Sequence, residues 1–297
     1  MGLPRRLEEQ AGRFALVDGI PFEMPVRTSD SPAFMAAFSI DAERAAKLLP
    51  AGEIHPLRVW NRGVLVITVI NYLKTTIGKY IEFSIGIGCT RGAKPAPRLL
   101  PLALMKTFGT GQYVIDLPVS TEVSVKGGKG IWGMPKHQAN LDFKLGETEI
   151  SSQYDLDGKL AIYVSIGRPG GFGLPLRTSG VNWCSFRGML MKSVIHFRST
   201  MHFAVGGSKA ARLVIGDHPR VQPLKDLDIA PRPMFTAFFP EINGALDDHF
   251  DAWFLTYDRP PRQNMEGMES VVDLGLSQQW LAPPSAPVLP REERSTR

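Results

Sequence analysis

The sequence predicts an α+β fold in which β-strands dominate, arranged as a closed antiparallel sheet with helices on its outside. Two observations support this fold class. Short runs rich in Val, Ile and Tyr recur along the chain, and Gly, Pro or Asp turns separate them. Strand and helix patterns do not alternate for long enough to indicate a parallel α/β sheet, and no internal repeat is visible.

The first half of the chain gives the clearest elements. A helix is predicted over "DAERAAKLLP", where Asp41 is a suitable N-cap and Pro50 ends the helix. The predicted strands that follow are residues 64–73, 80–89, 113–125, 140–145, 149–157 and 160–166. A turn through Asp157 and Gly158 joins the last two strands as a hairpin.

The second half of the chain is less decisive. The segment "RTSGVNWCSFRGMLMKSVIHFRSTMHFAV" fits a strand, a helix or both, whereas "FTAFFPEI" and "AWFLTYD" are typical of short strands or apolar anchors. We predict a single domain over residues 1–280, with its core at about residues 30–260. Residues 281–297 contain four prolines and no periodicity, which predicts a disordered tail.

Composition indicates a soluble globular protein. The 297 residues are 43% hydrophobic and 21% charged, and the formal charge of +5 is scattered, so we expect no nucleic-acid partner. The longest apolar run, "GVLVITVI", is too short to cross a bilayer, and the first residues lack the apolar core of a signal peptide. Two distant cysteines are typical of a reducing compartment, so we predict a cytoplasmic protein without a membrane partner.

The stretch "GGKGIWGMPKHQANLDF", residues 127–143, contains a possible phosphate-binding loop. Gly128, Gly130 and Gly133 match the dinucleotide motif G-x-G-x-x-G, which needs a helix that begins inside the motif. Pro135 follows closely, and the strand pattern then returns. A dinucleotide site is therefore disfavoured.

Other cofactor and catalytic motifs are missing from the sequence. The six histidines include no H-x-x-x-H pair, and the two cysteines form no C-x-x-C motif. No G-x-S-x-G hydrolase elbow occurs. We therefore expect neither a metal nor an organic cofactor.

The same stretch places Lys136 directly after "IWGMP". An amine surrounded by Trp132, Met134 and Pro135 would be partly desolvated if the stretch lies in a pocket. Desolvation disfavours a charged amine, and the neutral amine is the form that attacks a ketone to make an imine. The residue types alone favour the simpler interpretation of a solvated loop lysine.

Three blocks of the sequence resemble the acetoacetate decarboxylase superfamily. "DAERAAKLLP" is similar to that family's early helix, and "GGSKAARLVIGDHPRVQPLKDLDI" to a later block with an Asp-His pair. "LPVSTEVSVKGGKGIWGMPKH" is similar to its strand with a glutamate, its glycine turn and its G-[FYM]-P-K segment. The blocks keep the family order, and the resemblance implies a closed or cone-like β-barrel with peripheral helices in a homo-oligomer.

The resemblance assigns roles residue by residue. Lys136 stands where the family has its Schiff-base lysine, and Glu82, in "KYIEF", stands where it has a pocket glutamate. Glu122 matches the glutamate on the strand before the glycine turn. Trp132 and Met134 are expected to supply an apolar environment.

Three positions depart from the family pattern. His137 replaces a second lysine, and Ile67 and Thr68 stand near the place of a second pocket glutamate. An ungapped alignment puts Ser31 in place of an arginine before the early helix, and Arg27 is the nearest substitute. These departures weaken the case for acetoacetate itself as the substrate.

The sequence thus predicts a cofactor-independent enzyme that forms an imine between Lys136 and a small oxo acid, with decarboxylation of a β-keto acid as the leading reaction. Glu82 is expected to orient the substrate or to carry a proton. The predicted substrate-binding residues are Glu122, Trp132, Met134, His137 and Arg27. Two alternatives stay open: an aldolase or dehydratase that uses the same lysine, and a ligand-binding barrel without catalysis.

Overall fold

The computed structural model describes residues 4–8, 12–50, 52–98, 100–206, 211–257 and 271–285. Within these ranges strands dominate. The helices are α1 (Arg5–Glu8), α2 (Ala42–Ala46), α3 (Leu100–Ala103), α4 (Glu122–Trp132) and α5 (Gln222–Lys225), with a 3₁₀ turn at Pro219–Val221. The strands are β1 (Arg13–Val17), β2 (Ile20–Met24), β3 (Val26–Ile40), β4 (Ile54–Pro56), β5 (Gly63–Tyr72), β6 (Lys74–Thr75), β7 (Tyr80–Arg91), β8 (Gly111–Val119), β9 (Lys136–Gln138), β10 (Asn140–Leu141), β11 (Lys144–Leu145), β12 (Glu149–Leu156), β13 (Lys159–Gly167), β14 (Leu174–Phe186), β15 (Met189–Val205), β16 (Arg212–Ile215), β17 (Pro233–Leu246) and β18 (Asp251–Phe254).

Seven strands close into a barrel in the order β7, β5, β3, β17, β15, β14 and β8, and β8 pairs again with β7. Six of the contacts are antiparallel. The contact between β8 and β14 is parallel, through the pairs Gln112–Asn182 and Tyr113–Trp183. Strand direction must alternate in an antiparallel ring, so an odd number of strands cannot close without a parallel contact. The predicted closed β fold is confirmed, and its antiparallel description is corrected to a mixed barrel.

Side-chain alternation along the barrel strands separates the main core from a central cavity. On β7, Ile81 and Phe83 point outward into the main core, whereas Tyr80, Glu82 and Ser84 point inward. Strands β3 and β5 divide their side chains in the same way. A second sheet, made of β10 to β13 and β16, covers the outward face and completes the main core.

The stretch predicted as a glycine turn forms helix α4. The predicted strand 113–125 was too long, since β8 ends at Val119 and Glu122 is the first residue of α4 rather than a strand residue. Strands β8 and β9 are parallel, with Leu117 paired to Lys136, so β8, α4 and β9 form a β-α-β unit. Glycine lowers helix propensity by about 1 kcal/mol relative to Ala, which hid this helix from the sequence pattern.

The glycines of α4 allow the β1–β2 hairpin to pack directly on the helix backbone. A Cβ atom added to Gly130 would lie 2.5 Å from Val17 Cγ1, and one added to Gly127 would lie 2.9 Å from Phe22 Cε1. Both distances are shorter than van der Waals contact. The tertiary contact therefore selects glycine where helix propensity alone would select alanine.

Other local predictions have clear outcomes. Asp41 caps α2 by accepting a hydrogen bond of 2.8 Å from the Arg44 N–H. Asp157 and Gly158 form the turn between β12 and β13, with φ values of 52° and 73°. The undecided segment after residue 176 is a long hairpin of β14 and β15, and "FTAFFPEI" lies inside β17.

Residues 271–285 run over α4 and the second sheet without regular secondary structure. Lys126 Nζ donates to Val271 O and Leu274 O, and Gln153 Nε2 donates to Ser285 O at 2.9 Å. The first residues of the predicted disordered tail thus contact the domain, and residues 286–297 lie outside the described residues. In the described part of the chain, no helix has the length and hydrophobicity needed to cross a bilayer.

Candidate active site

Lys136 begins β9, and its side chain enters the barrel. Its Nζ lies 2.7 Å from Glu82 Oε2 and donates a hydrogen bond of 3.0 Å to Ser124 Oγ. The residue is only 7% exposed, so the amine is held away from bulk water. The structure therefore brings together the two residues predicted to be catalytic.

The end of α4 directs Lys136 into the barrel. Gly133 has a φ of 64°, a left-handed conformation that ends the helix. Its N–H donates to Lys129 O at 3.0 Å, and the next N–H, of Met134, donates to Gly128 O at 3.2 Å. Because the helix is closed by backbone bonds, the position at which β9 begins is fixed.

Gly128 provides the surface on which the lysine side chain lies. A Cβ atom added to Gly128 would lie 2.5 Å from Lys136 Cδ, 2.7 Å from Cε and 3.1 Å from Nζ. A larger residue would displace the amine from Glu82 and Ser124. The motif glycine thus acts by close approach to the lysine, a role that the sequence did not reveal.

Tyr72 and Tyr80 complete the polar end of the site. Their rings stack with centroids 4.5 Å apart, and Lys136 Nζ lies 5.3 Å from the centre of the Tyr80 ring. Burial raises the pKa of both phenols well above its usual value, and the negative charge of Glu82 raises it further. Both groups therefore stay protonated at neutral pH and can donate a hydrogen bond.

Ser124, Tyr72 and Tyr80 were not predicted as site residues. Tyr80 precedes Glu82 by two positions, so the two share one face of β7. That spacing was the available signal for Tyr80. Ser124 reaches the site through the unpredicted helix, and nothing in the sequence indicated it.

A cavity of about 190 Å³ surrounds the amine. Trp132 and Met134 line it, as do many apolar side chains from the barrel strands. Among its described lining residues, Glu82 and Lys136 are the charged ones. Trp132 Nε1 donates to Asp247 O at 3.2 Å, which satisfies the indole and fixes its ring.

His137 faces away from this cavity because neighbouring residues on a strand point to opposite sides. Its Nε2 lies 3.0 Å from Asp116 Oδ1 and 3.3 Å from Tyr154 Oη, and Arg220 Nε donates to the same Asp116 oxygen at 2.8 Å. Burial pushes the pKa of Asp116 upward, but His137 and Arg220 outweigh it and lower the pKa. His137 therefore belongs to a buried polar cluster behind the lysine.

Glu122 and Arg27 also lie outside the lining of the cavity. Glu122 lies in the first turn of α4. Its carboxylate is next to Gly275, since a Cβ atom added to that glycine would lie 3.1 Å from Glu122 Oε2. Arg27 donates to Leu7 O and, with other basic residues, lines a groove of about 570 Å³ that adjoins the cavity and shares Thr28 and Phe197 with it. The basic residues of this groove are Arg27, Lys74, Arg177 and Arg198.

The described residues contain no group of three or more His, Cys, Asp or Glu side chains that could hold a metal ion. The dinucleotide-like glycine motif lies at the carboxyl end of α4, which closes at Gly133. A pyrophosphate site uses the amino end of a helix. The geometry of this segment therefore differs from that of a dinucleotide-binding turn.

Comparison with known proteins identifies similar folds. A sequence model described as acetoacetate decarboxylase (ADC) matches residues 16–166. The structure is similar to an acetoacetate decarboxylase from Legionella pneumophila, with a TM-score of 0.53, 14% identity, and coverage of 83% of this chain and 95% of that chain. A second solved acetoacetate decarboxylase gives a TM-score of 0.57 at 12% identity, covering 85% of this chain and 98% of that chain.

A further similar structure is the enduracididine biosynthesis enzyme MppR complexed with pyruvate. Its TM-score is 0.54 at 14% identity, with coverage of 80% of this chain and 93% of that chain. MppR complexed with the condensation product of pyruvate and imidazole 4-carboxaldehyde gives 0.52 at 13% identity, with coverage of 77% and 88%. At such identities the likeness shows the fold alone. No curated protein sequence matches this chain significantly.

Proposed function

Because the chain belongs to the acetoacetate decarboxylase family, we propose that it is a lyase that forms a Schiff base between Lys136 and an oxo acid. One observation carries this proposal. The buried Lys136 amine lies 2.7 Å from Glu82 in a cavity whose other lining residues, among those that the structure describes, are uncharged. The proposed substrate class is a β-keto acid, and the proposed steps use no metal and no organic cofactor.

The first step is addition of Lys136 to the ketone of the substrate. An ammonium group cannot attack, so a proton must leave Nζ, and Glu82 is the carboxylate within hydrogen-bond reach. The nitrogen bonds to the carbonyl carbon. The carbonyl oxygen receives the two protons that the nitrogen loses, relayed by Glu82, and leaves as water. The product is a protonated imine that faces the Glu82 carboxylate.

The second step is loss of carbon dioxide. The bond between the carboxylate carbon and the α carbon breaks, and its electron pair moves to the imine nitrogen to give a neutral enamine. The apolar cavity disfavours the charged carboxylate relative to these neutral products. A water molecule then donates a proton to the α carbon, and the hydroxide that remains adds to the imine carbon, so one water is consumed. The ketone leaves, and Lys136 is restored.

The other predicted substrate-binding residues take different places in this proposal. Trp132 and Met134 line the cavity and would shield the imine from water. Glu122, His137 and Arg27 lie outside its lining, so we propose no contact between them and a substrate held wholly inside.

An aldolase or dehydratase that uses the same lysine is the second candidate. The likeness to MppR, solved with a condensation product of pyruvate and an aldehyde, supports it. In this reaction the Lys136 enamine would attack an aldehyde carbon, a carbon–carbon bond would form, and water would be lost. Measurement of carbon dioxide separates the two reactions, because only decarboxylation releases it.

Borohydride trapping tests the Schiff base directly, since it reduces the imine to a stable secondary amine. The folded protein is treated with borohydride and acetoacetate, 3-oxohexanoate or pyruvate, and the modified peptide is identified by mass spectrometry. We expect an adduct on Lys136 in the wild type and in Lys79→Met, an exposed control, and none in Lys136→Met. Absence of an adduct with every acid would overturn the proposal in favour of a non-catalytic binding barrel.

Two further properties are proposed from the family resemblance and the composition: a homo-oligomeric state and a cytoplasmic location. Light scattering of the purified chain tests the first, and a monomer at micromolar concentration would contradict it. Cell fractionation tests the second.

A further inference from the structure

The Lys136 cavity has two chemically different ends. Lys136, Glu82 and Ser124 form the polar end, together with the hydroxyls of Tyr72 and Tyr80. The opposite wall comes from the inward faces of β3, β15 and β17, which lie next to one another in the barrel, and neutral residues of β5, β8, β14 and the end of α4 add to the lining.

The apolar end is built from large side chains. They are Met35 on β3, Ile195 and Phe197 on β15, and Phe239 and Ile242 on β17. Phe197 and Phe239 meet edge to face, with centroids 6.3 Å apart and planes at 88°. This geometry is favourable for aromatic rings and holds the wall in shape.

Charge is confined to the polar end. Glu82 and Lys136 are the charged residues among the described lining, and Lys136 is committed to the imine. Arg27 and Arg198 line an adjoining groove, which shares Thr28 and Phe197 with the cavity, but neither arginine is in the lining of the cavity itself. An anionic group at the apolar end would therefore be buried without a cation, which is strongly unfavourable.

We propose that the substrate is an oxo acid whose carbonyl carbon carries an apolar substituent, a short alkyl chain or an aryl ring, that occupies this end. The inference rests on the proposed function, because the imine fixes the carbonyl carbon at Lys136. The cavity of about 190 Å³ is large enough for such a group, since a dry apolar cavity of about 150 Å³ binds benzene. A methyl substituent, as in acetoacetate, leaves the apolar end unfilled.

A matched series of substrates tests the inference on the wild-type protein. The half-saturating concentration for borohydride trapping is measured with acetoacetate, 3-oxohexanoate, 3-oxo-3-phenylpropanoate and 3-oxohexanedioate. Each buried methylene is worth about 0.8 kcal/mol, or about fourfold, so 3-oxohexanoate should saturate about fifteenfold lower than acetoacetate. The phenyl compound should do at least as well. The diacid, which places a second carboxylate at the apolar end, should saturate at least tenfold higher than 3-oxohexanoate.

Failure of this inference is distinguishable from failure of the Schiff-base proposal. Equal half-saturation by acetoacetate and 3-oxohexanoate, with both trapped on Lys136, would overturn the inference and leave the Schiff base standing. If no oxo acid is trapped, calorimetric titration with butanoate, hexanoate and hexanedioate still reports on the cavity. Hexanoate should bind most tightly of the three, and equal binding of all three would overturn the inference independently of any chemistry.

A variant of the wall gives a second test. Met35→Gln changes shape little but places an amide at the apolar end, and we expect it to reduce the preference for 3-oxohexanoate over acetoacetate at least fivefold. Met105→Gln is the matched control, since Met105 is 46% exposed and lies outside the cavity. An unchanged preference in folded Met35→Gln would contradict the assignment of this wall. If Met35→Gln does not fold, the wild-type series decides the question.

Discussion

Two buried lysines ten residues apart in the chain have opposite surroundings. Lys126, on α4, is 2% exposed, and its Nζ contacts Val271 O, Leu274 O and Asp18 Oδ2 at 2.9, 2.7 and 2.9 Å. Lys136 is 7% exposed and contacts Glu82 and Ser124, while its side chain also borders the cavity.

The difference shows how one residue type can serve structure, as Lys126 does, and be placed for the chemistry that we propose for Lys136. An ammonium group has three donors, and Lys126 uses all three on fixed oxygens. It holds residues 271–274 and the β1–β2 turn against α4. Lys136 has two fixed partners and a neighbouring empty space, so a ligand can reach its nitrogen without displacing the fold. Burial alone therefore does not mark a reactive lysine.

Exchange of each lysine for methionine gives the largest expected effects. Lys136→Met should abolish borohydride trapping, and it should also lower the free energy of unfolding because the buried Glu82 carboxylate loses its cation. Lys126→Met should keep trapping but lower the free energy of unfolding by about 2 kcal/mol, because buried carbonyl oxygens lose a charged donor. Trapping and urea denaturation measure both variants. Loss of trapping in a stable Lys126→Met protein would break the comparison.

Glu82→Gln is expected to have the next largest effect. The amide keeps the shape of the side chain but cannot accept the lysine proton, so turnover of the best oxo acid should fall about 10²–10⁴-fold. Glu149→Gln, an exposed control on β12, should leave turnover unchanged. A Glu82→Gln enzyme with wild-type turnover would show that the carboxylate next to Lys136 is as structural as the one next to Lys126.

Gly128→Ala should have an intermediate effect on the reaction. The added methyl group would press against Lys136 Cδ and Cε and move the amine, and misplacement by about 1 Å costs about 10²-fold in rate. The same change improves helix propensity by about 1 kcal/mol. This gain opposes the cost of the contact with Lys136, so the free energy of unfolding should change little. Single-turnover trapping rates measure the effect, with Gly170→Ala as a control in open space. An unchanged rate would contradict the role assigned to Gly128.

Substitution of Asp116, which lies behind β9, is expected to have the smallest effect on imine formation. Its main effect is on the pH dependence of stability. The folded-state pKa of Asp116 is lowered from its ordinary value of 3.8, so its carboxylate stabilises the fold above that pH, and the stabilisation is lost as pH falls through the lower folded pKa. Urea denaturation from pH 6 to pH 3 should show this loss in the wild type and less of it in Asp116→Asn. Asp226→Asn, an exposed control, should retain the wild-type slope. A similar slope in Asp116→Asn would contradict the assignment.

Much of the site could be predicted wherever local rules act. Strand alternation identifies β5 and β7, and it puts Tyr80 and Glu82 on one face. The resemblance of the "GMPK" segment to the family motif singled out Lys136, whereas the residue types around it favoured a solvated loop lysine. These predictions depend on residues within a few positions of each other, and the sequence states such relations directly.

The rest of the site depends on contacts between distant segments. Helix α4 contains glycines because the β1–β2 hairpin and Lys136 press against it, and a propensity argument sees only poor helix formers. The parallel contact of β8 with β14 joins Gln112 to Asn182, 70 residues apart. His137 is predicted to bind substrate because it follows Lys136 in the chain, but strand alternation directs its side chain toward Asp116.

The seven-stranded barrel combines residues from inside the family-matched segment with residues from beyond it. The segment that matches the family, residues 16–166, contains both Lys136 and Glu82. Four of the five side chains of the apolar end, all except Met35, come from β15 and β17, beyond that segment. Substitutions in these later strands can change which substrate substituents the cavity accommodates, while Lys136 and Glu82 stay the same. If the proposed function holds, new substrates are thus open to this chain through mutations far in sequence from Lys136.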